Sequence, residues 1–136
     1  MEARVRWNGK MGFVGISGTN HTVVMDTRPE IGGDGAAPSP MEMVLMGLAG
    51  CSGIDVVSIL QKKRVKLHSL EIALDAERAE EHPRVFTRIN VRFSAAGEGL
   101  TEKHLTDAVR LSMEKYCSVA GMLSKTAEIN WMVEVL

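Results

Sequence analysis

Only two cysteines occur in these 136 residues, too few for a disulfide scaffold or a four-thiolate zinc site. The four histidines, His21, His68, His82 and His104, are scattered without ligand spacing, so no metal is expected. Net charge is only −1, which gives no reason to expect nucleic acid or an anionic membrane as partner. The opening Met1-Glu-Ala-Arg-Val-Arg-Trp7 has no apolar signal region, so the chain is expected to stay in the cytoplasm. The longest apolar run is interrupted by Glu42 and Asp55, and between them it is too short to span a bilayer. Gly32-Gly-Asp-Gly35 lacks the lysine and serine of a phosphate loop and the dinucleotide spacing. There is no repeat and no low-complexity segment, and one domain over residues 1–136 is expected.

What is present is centred on Ser39 to Leu60. Ser39 can cap a helix and Pro40 suits its first position. From Met43 to Ile54 no residue is charged, so this helix has no polar face and should be buried all round. Gly47, Gly50 and Gly53 recur near one face, where a backbone or substrate could approach. Each costs about 1 kcal/mol relative to alanine, so a packing or functional gain should offset them. Cys51 stands among them.

Ahead of the helix, Arg4–Trp7, Gly12–Ile16 and His21–Met25 alternate as strands of an antiparallel meander. Asp26 to Pro38 is a long glycine- and proline-rich loop, of a length that is often functional. Beyond the helix, Leu70 to Glu77 and Val85 to Phe93 read as a long hairpin turning at Glu80–Pro83, with Val85, Ile89, Val91 and Phe93 on its apolar face. A second helix starts at Thr101 and carries Leu105, Ala108, Val109, Ser112, Met113 and Tyr116 at helical spacing. It should break near Cys117, with Ser118 capping a short helix before a final strand, Trp131–Val135. This order is α+β. One sheet covers only one side of an all-apolar helix, so a second copy of the chain is expected to cover the rest as a homodimer.

The residues alone leave the thiols open. Cys51 sits mid-helix, and an ionised Asp55 four residues on would raise its pKa, so by itself it reads as a structural thiol. A nearby arginine would reverse that, and the loop offers Arg28. Cys117, at the start of a short helix, is better placed to carry negative charge. A disulfide requires Cα atoms within roughly 7 Å, which spacing does not decide. Ser52, Ser112 and Ser118 show no paired base.

Pro38 to Cys51, Pro-Ser-Pro-Met-Glu-Met-Val-Leu-Met-Gly-Leu-Ala-Gly-Cys, resembles the helix-opening segment of the OsmC/Ohr family, in which a proline also precedes the first cysteine by eleven residues. Lys115-Tyr-Cys-Ser-Val119 is similar to that family's second-cysteine segment, and the wording of both is similar to its YhfA-like branch. The resemblance covers essentially the whole chain. It implies an OsmC-like fold, antiparallel sheets around a long central buried helix, in an intertwined homodimer. It also implies a cofactor-free, thiol-dependent peroxidase acting on a small organic hydroperoxide. Cys51 would form a sulfenic acid, Cys117 would resolve it as a disulfide, and an external dithiol would reset the pair. Arg28, contributed across the dimer, would hold the thiolate. Met41, Met43, Leu45, Met46, Met113 and Met122 would form an apolar pocket, or plain core.

One position departs from the pattern. The family glutamate that orients the arginine is replaced by Met41, and Glu42 lies nine residues before Cys51, a rotation of about 180° on a regular helix. Three readings stay open: a distorted first turn, Asp55 in the orienting role, or altered activity. Two further functions remain beside the peroxidase, a non-catalytic dimer holding a small apolar ligand and a thiol-disulfide or sulfur-handling protein.

Overall fold

The computed structural model describes all residues, Met1–Leu136. Cα packing groups them into two compact units, Met1–Met46 and Gly47–Leu136, divided within the central helix.

The first unit is built on a three-stranded antiparallel meander, β1 (Ala3–Trp7), β2 (Phe13–Ser17) and β3 (Thr22–Met25), in the order β1-β2-β3. Positive-φ residues Gly9, Lys10 and Asn20 make its turns. A loop with one 3-10 turn, Pro29–Ile31, leads into the long helix α1 (Pro40–Lys62). Asp26 organises this loop. Buried to 6% exposure, it accepts the amides of Thr27 (2.7 Å), Ala36 (3.1 Å) and Asp34 (3.2 Å). The Thr27 and Ala36 amides do most to hold its carboxyl below the usual carboxylate range. Gly33 fits only without a side chain, since a Cβ there would lie 2.0 Å from the Thr27 carbonyl oxygen.

The second unit holds the rest of α1, the hairpin β4 (Lys66–Arg78) and β5 (Phe86–Glu98), α2 (Glu102–Leu111), a π turn (Ser112–Tyr116), α3 (Ser118–Leu123) and β6 (Glu128–Val135). The sheet order is β4-β5-β6, with β4 and β5 antiparallel and β5 and β6 parallel. The parallel pairing differs from the expected antiparallel sheets. A parallel neighbour needs a crossover connection, and α2, the π turn and α3 supply it. Across the sheet, Asn90 donates to Asp75 (2.8 Å) and Asn130 donates to Asn90 (3.2 Å), a polar row spanning all three strands.

Two register shifts refine the hairpin. One lies between Glu77 and Arg78, and Phe86 is buried while Val85 is half-buried, the reverse of the simple alternation expected from Val85 onward. A bulge inserts one residue and exchanges the faces. The other lies between Leu67 and Ser69, opposite Gly97. A Cβ on Gly97 would sit 2.6 Å from the Lys66 carbonyl oxygen, so the strands close there only over glycine.

Leu48, Ser52, Val56 and Leu60 are the buried residues of α1 and recur every four positions as one stripe. With Ile89, Val91, Phe93, Ala95, Leu105, Ala108 and Val109 they form the core of the second unit. The other faces of α1 are open in the single chain: Ile54 is 74% exposed and Met46 48%. The all-round burial expected from the uncharged run is therefore unmet within one chain. At 23 residues α1 is long and apolar enough to cross a membrane by length and composition when its charged residues are counted in, although the uncharged run between Glu42 and Asp55 is short. A core helix passes the same test.

Candidate redox site

Cys51 lies in the middle of α1, half-buried, directly before the buried Ser52. The helix carrying it starts on a reciprocal pair. The Glu42 amide donates to Ser39 Oγ (3.2 Å), and the Ser39 amide donates to Glu42 Oε1 (3.1 Å). This capping box satisfies two amides at the helix start. The backbone amide of Ser39, helped by its hydroxyl, holds the Glu42 carboxyl below the usual range. Glu42 is thus committed to closing the first turn.

Cys117 arrives by a different route. α2 starts on Thr101, whose hydroxyl accepts the His104 amide (3.1 Å), and buries Leu105, Ala108 and Val109. Its continuation widens into the π turn, closed where the Cys117 amide donates to the Ser112 carbonyl (2.8 Å). Single π turns inside helical segments occur frequently at functional sites. Cys117 then caps α3 with its own sulfur, which accepts the Ala120 amide at 3.3 Å. Ser118, expected as the cap, is instead the first helical residue.

Cys117 is 4% exposed, and Cys51 is close enough to act on its thiol. Both are free thiols. Burial pushes the Cys117 thiol up, from an ordinary 9.0 to about 11, with hydrogen-bonding and Coulombic contributions from Cys51 in the same direction. The Ala120 and Val119 amides act against that rise. Cys117 is therefore a neutral thiol at physiological pH.

Asp55 and Ser112 form the polar link beside this pair. Ser112, fully buried, donates from Oγ to Asp55 Oδ2 at 2.8 Å and also lies 3.5 Å from the Ser52 carbonyl oxygen. Ser112, without a visible partner in the sequence, has one in the fold. Its place on the apolar face of the second helix expected from the sequence is the available signal, because a buried hydroxyl there must find an acceptor. Ser52 satisfies its own by bonding back to the Leu48 carbonyl (3.0 Å).

Arg28 belongs to the first unit. It precedes the 3-10 turn on the loop built over Asp26, is exposed, and makes no side-chain hydrogen bond or ion pair within the chain. Its carbonyl instead accepts the amides of Ile31 (3.0 Å) and Gly33 (3.2 Å). Sequence reasoning passed over Asp26, although an aspartate opening a glycine-rich loop is a common turn organiser.

An apolar groove of about 670 Å³ runs between α1 and β4, lined by Gly50, Gly53, Ile54, Val57, Leu70 and Ile72, and Cys51 is not part of its lining. None of the six residues expected to form an apolar pocket lines it. Met46 and Met122 are exposed, while Met41, Met43, Leu45 and Met113 are half-buried. Gly53 faces β4, where a Cβ would lie 3.0 Å from Ile72 Cδ1. Gly47 and Gly50 face open space.

The model of the family described as OsmC-like protein matches residues 33–132, a span that holds both cysteines. The chain belongs to the OsmC-like family. Arg28 lies outside the matched span. This OsmC-like chain is 50% identical over 136 residues to protein YhfA of Escherichia coli (strain K12), covering 100% of this chain and 98% of that protein. A hypothetical protein from Aquifex aeolicus VF5 has the same fold, with 31% identity, a TM-score of 0.82 and coverage of 99% of this chain and 96% of that one. The fold extends to an organic hydroperoxide resistance protein OsmC from Legionella pneumophila, at 16% identity and a TM-score of 0.71 over 98% of this chain and 96% of that one. The OsmC-like fold read from the two cysteine segments is the fold observed.

Proposed function

We propose that this OsmC-like protein is a cytoplasmic, thiol-dependent peroxidase that reduces small organic hydroperoxides. The observation that carries this reading is that Cys51, partly open, lies near enough to the buried Cys117 to raise its pKa. In the first step the Cys51 thiolate attacks the terminal peroxide oxygen. The S–O bond forms as the O–O bond breaks, sulfur gives up two electrons, and the alkoxide leaves to be protonated as an alcohol. In the second, Cys117 attacks the Cys51 sulfenic acid; the S–S bond forms, and the thiol proton leaves with the hydroxyl as water. An external dithiol then reduces the disulfide by exchange and is itself oxidised. No cofactor is needed, because sulfur is the redox centre.

The working unit in this reading is a homodimer. The open faces of α1, with Ile54 at 74% exposure and Gly47 and Gly50 facing free space, support a second copy as their cover. Arg28, with no partner in its own chain, then serves the partner's Cys51 by stabilising its thiolate. The fold shared with a hydroperoxide resistance protein from Legionella pneumophila is compatible with this chemistry.

The test is thiol counting after reduced protein is mixed with an organic hydroperoxide. Wild type should lose both thiols, Cys117→Ser should hold a trappable sulfenic acid at Cys51, and Cys51→Ser should lose none to stoichiometric peroxide. Unchanged thiol counts in wild type overturn the proposal. Oxidation by disulfides but not by peroxides would assign the pair to thiol-disulfide exchange instead.

A further inference from the structure

The geometry points to Asp55 and Ser112 as positioning residues that hold the Cys117 turn against Cys51 for disulfide closure. This rests on the peroxidase reading only for the identity of the oxidant; the closure itself is a property of the two thiols.

The argument starts from one hydroxyl. Ser112 Oγ donates to Asp55 Oδ2 at 2.8 Å, and Asp55 lies one helical turn beyond Cys51 on α1. The same oxygen is 3.5 Å from the carbonyl of Ser52, the residue next to Cys51. The Ser112 carbonyl in turn accepts the Cys117 amide at 2.8 Å, closing the π turn. One residue thus grips the Cys51 turn with its side chain and the Cys117 backbone with its main chain. Ser112 is fully buried and Asp55 half-buried, so the bond between them is partly screened from water. A bond to a carboxylate in such a place is worth more than an exposed one. A π turn is a wider, less regular ring than an α turn, and without an anchor the Cys117 sulfur would sample other positions. Closure requires sulfur to meet sulfur in a narrow geometry, so the anchor should speed that step in particular.

Closure can be read without peroxide. An aromatic disulfide such as 5,5′-dithiobis(2-nitrobenzoate) releases one coloured thiolate when the first cysteine attacks it, leaving a mixed disulfide on Cys51. A second thiolate is released when Cys117 attacks that sulfur, forming the Cys51–Cys117 bond. In Asp55→Ala and Ser112→Ala the second phase should slow about tenfold relative to the first, the rate equivalent of one charge-assisted hydrogen bond. Asp55→Asn keeps an acceptor oxygen and should stay within about threefold of wild type. The double alanine variant should be no slower than either single one, because both remove the same bond. A second-to-first ratio unchanged in both alanine variants overturns the inference. So does equal slowing of both phases, which would mark a general loosening of the fold. If Ser112→Ala does not fold, Asp55→Ala against Asp55→Asn gives the same comparison. Repeating the series with tert-butyl hydroperoxide separates the two claims. No thiol loss there, beside an Asp55-dependent second phase with the aromatic disulfide, sinks the peroxidase and leaves the anchor standing.

Discussion

Replacing Cys51 with serine should make Cys117 easier to ionise. Burial is the largest cause of the rise from 9.0 to about 11, and it stays in the variant. The next two raising causes both come from Cys51, its hydrogen bond and the repulsion between a charge on Cys51 and a second one on Cys117. The repulsion vanishes with the thiol, so the pKa must fall. The size of the wild-type effect follows directly. Near pH 7.5 a thiol of pKa 9.0 is about 3% thiolate and one of pKa about 11 is about 0.03%, a hundredfold difference in nucleophile. Iodoacetamide alkylation of the Cys117 peptide, quantified by mass spectrometry from about pH 7 to about pH 10, measures this. Because Cys117 is only 4% exposed, the informative quantity is the bend in the pH profile, not the absolute rate. Wild type should rise tenfold per pH unit straight through pH 9 without bending, while Cys51→Ser should bend earlier. The sign for stability is fixed by the same shift. The fold keeps a proton that the unfolded chain releases above its ordinary 9.0, so stability falls as pH rises from 9.0 and levels off beyond about 11. A wild-type bend at 9.0, or an unmoved bend in Cys51→Ser, would refute the contact between the thiols.

Gly97→Ala should destabilise the protein by about 1–3 kcal/mol by overpacking, since the added carbon would stand 2.6 Å from the Lys66 carbonyl oxygen; an unchanged denaturant midpoint would contradict the tight closure of β4 on β5. Asp26→Ala should speed hydrogen exchange at the Thr27, Asp34 and Ala36 amides, which lose their acceptor. The wild-type Asp26 carboxyl is held below its ordinary 3.8, so its contribution is present above that pH and is lost as pH falls through the lower folded value; exchange in these amides should rise in acid over that window. If the proposed homodimer forms through α1, Ile54→Glu, at a residue 74% exposed in the single chain, should leave far-UV dichroism unchanged and give monomer where wild type gives dimer by analytical ultracentrifugation. Retention of the dimer would place the interface elsewhere.

Alternation and turn residues were enough to read the meander, the long hairpin and the start of α1, because each is a local arrangement whose signals lie within a few residues. Glu42 is legible too, since Ser39-Pro-Met-Glu42 has capping-box spacing. Other features depend on distant residues. The exchanged faces at Phe86 follow from the bulge opposite Arg78, and nothing in Val85–Phe93 alone announces it. Sulfur replaces serine as the cap of α3 because the π turn ends on Cys117 and α3 begins at Ser118, one residue earlier than the serine signal suggests. The bond between Asp55 and Ser112 joins residues more than fifty positions apart, and only the packing of α2 against the core sets it. The direction of β6 depends on how the helical crossover returns, which strand composition leaves undetermined.

That return has a consequence for synthesis on the ribosome. β6 lies alongside β5 and runs the same way, so it can join the sheet only after α2 and α3 have turned the chain around. The second sulfur rides on this late-arriving segment, whereas the first is translated well before it. A nascent chain that has emerged only as far as the end of β5 exposes Cys51 while Cys117 has yet to leave the ribosome.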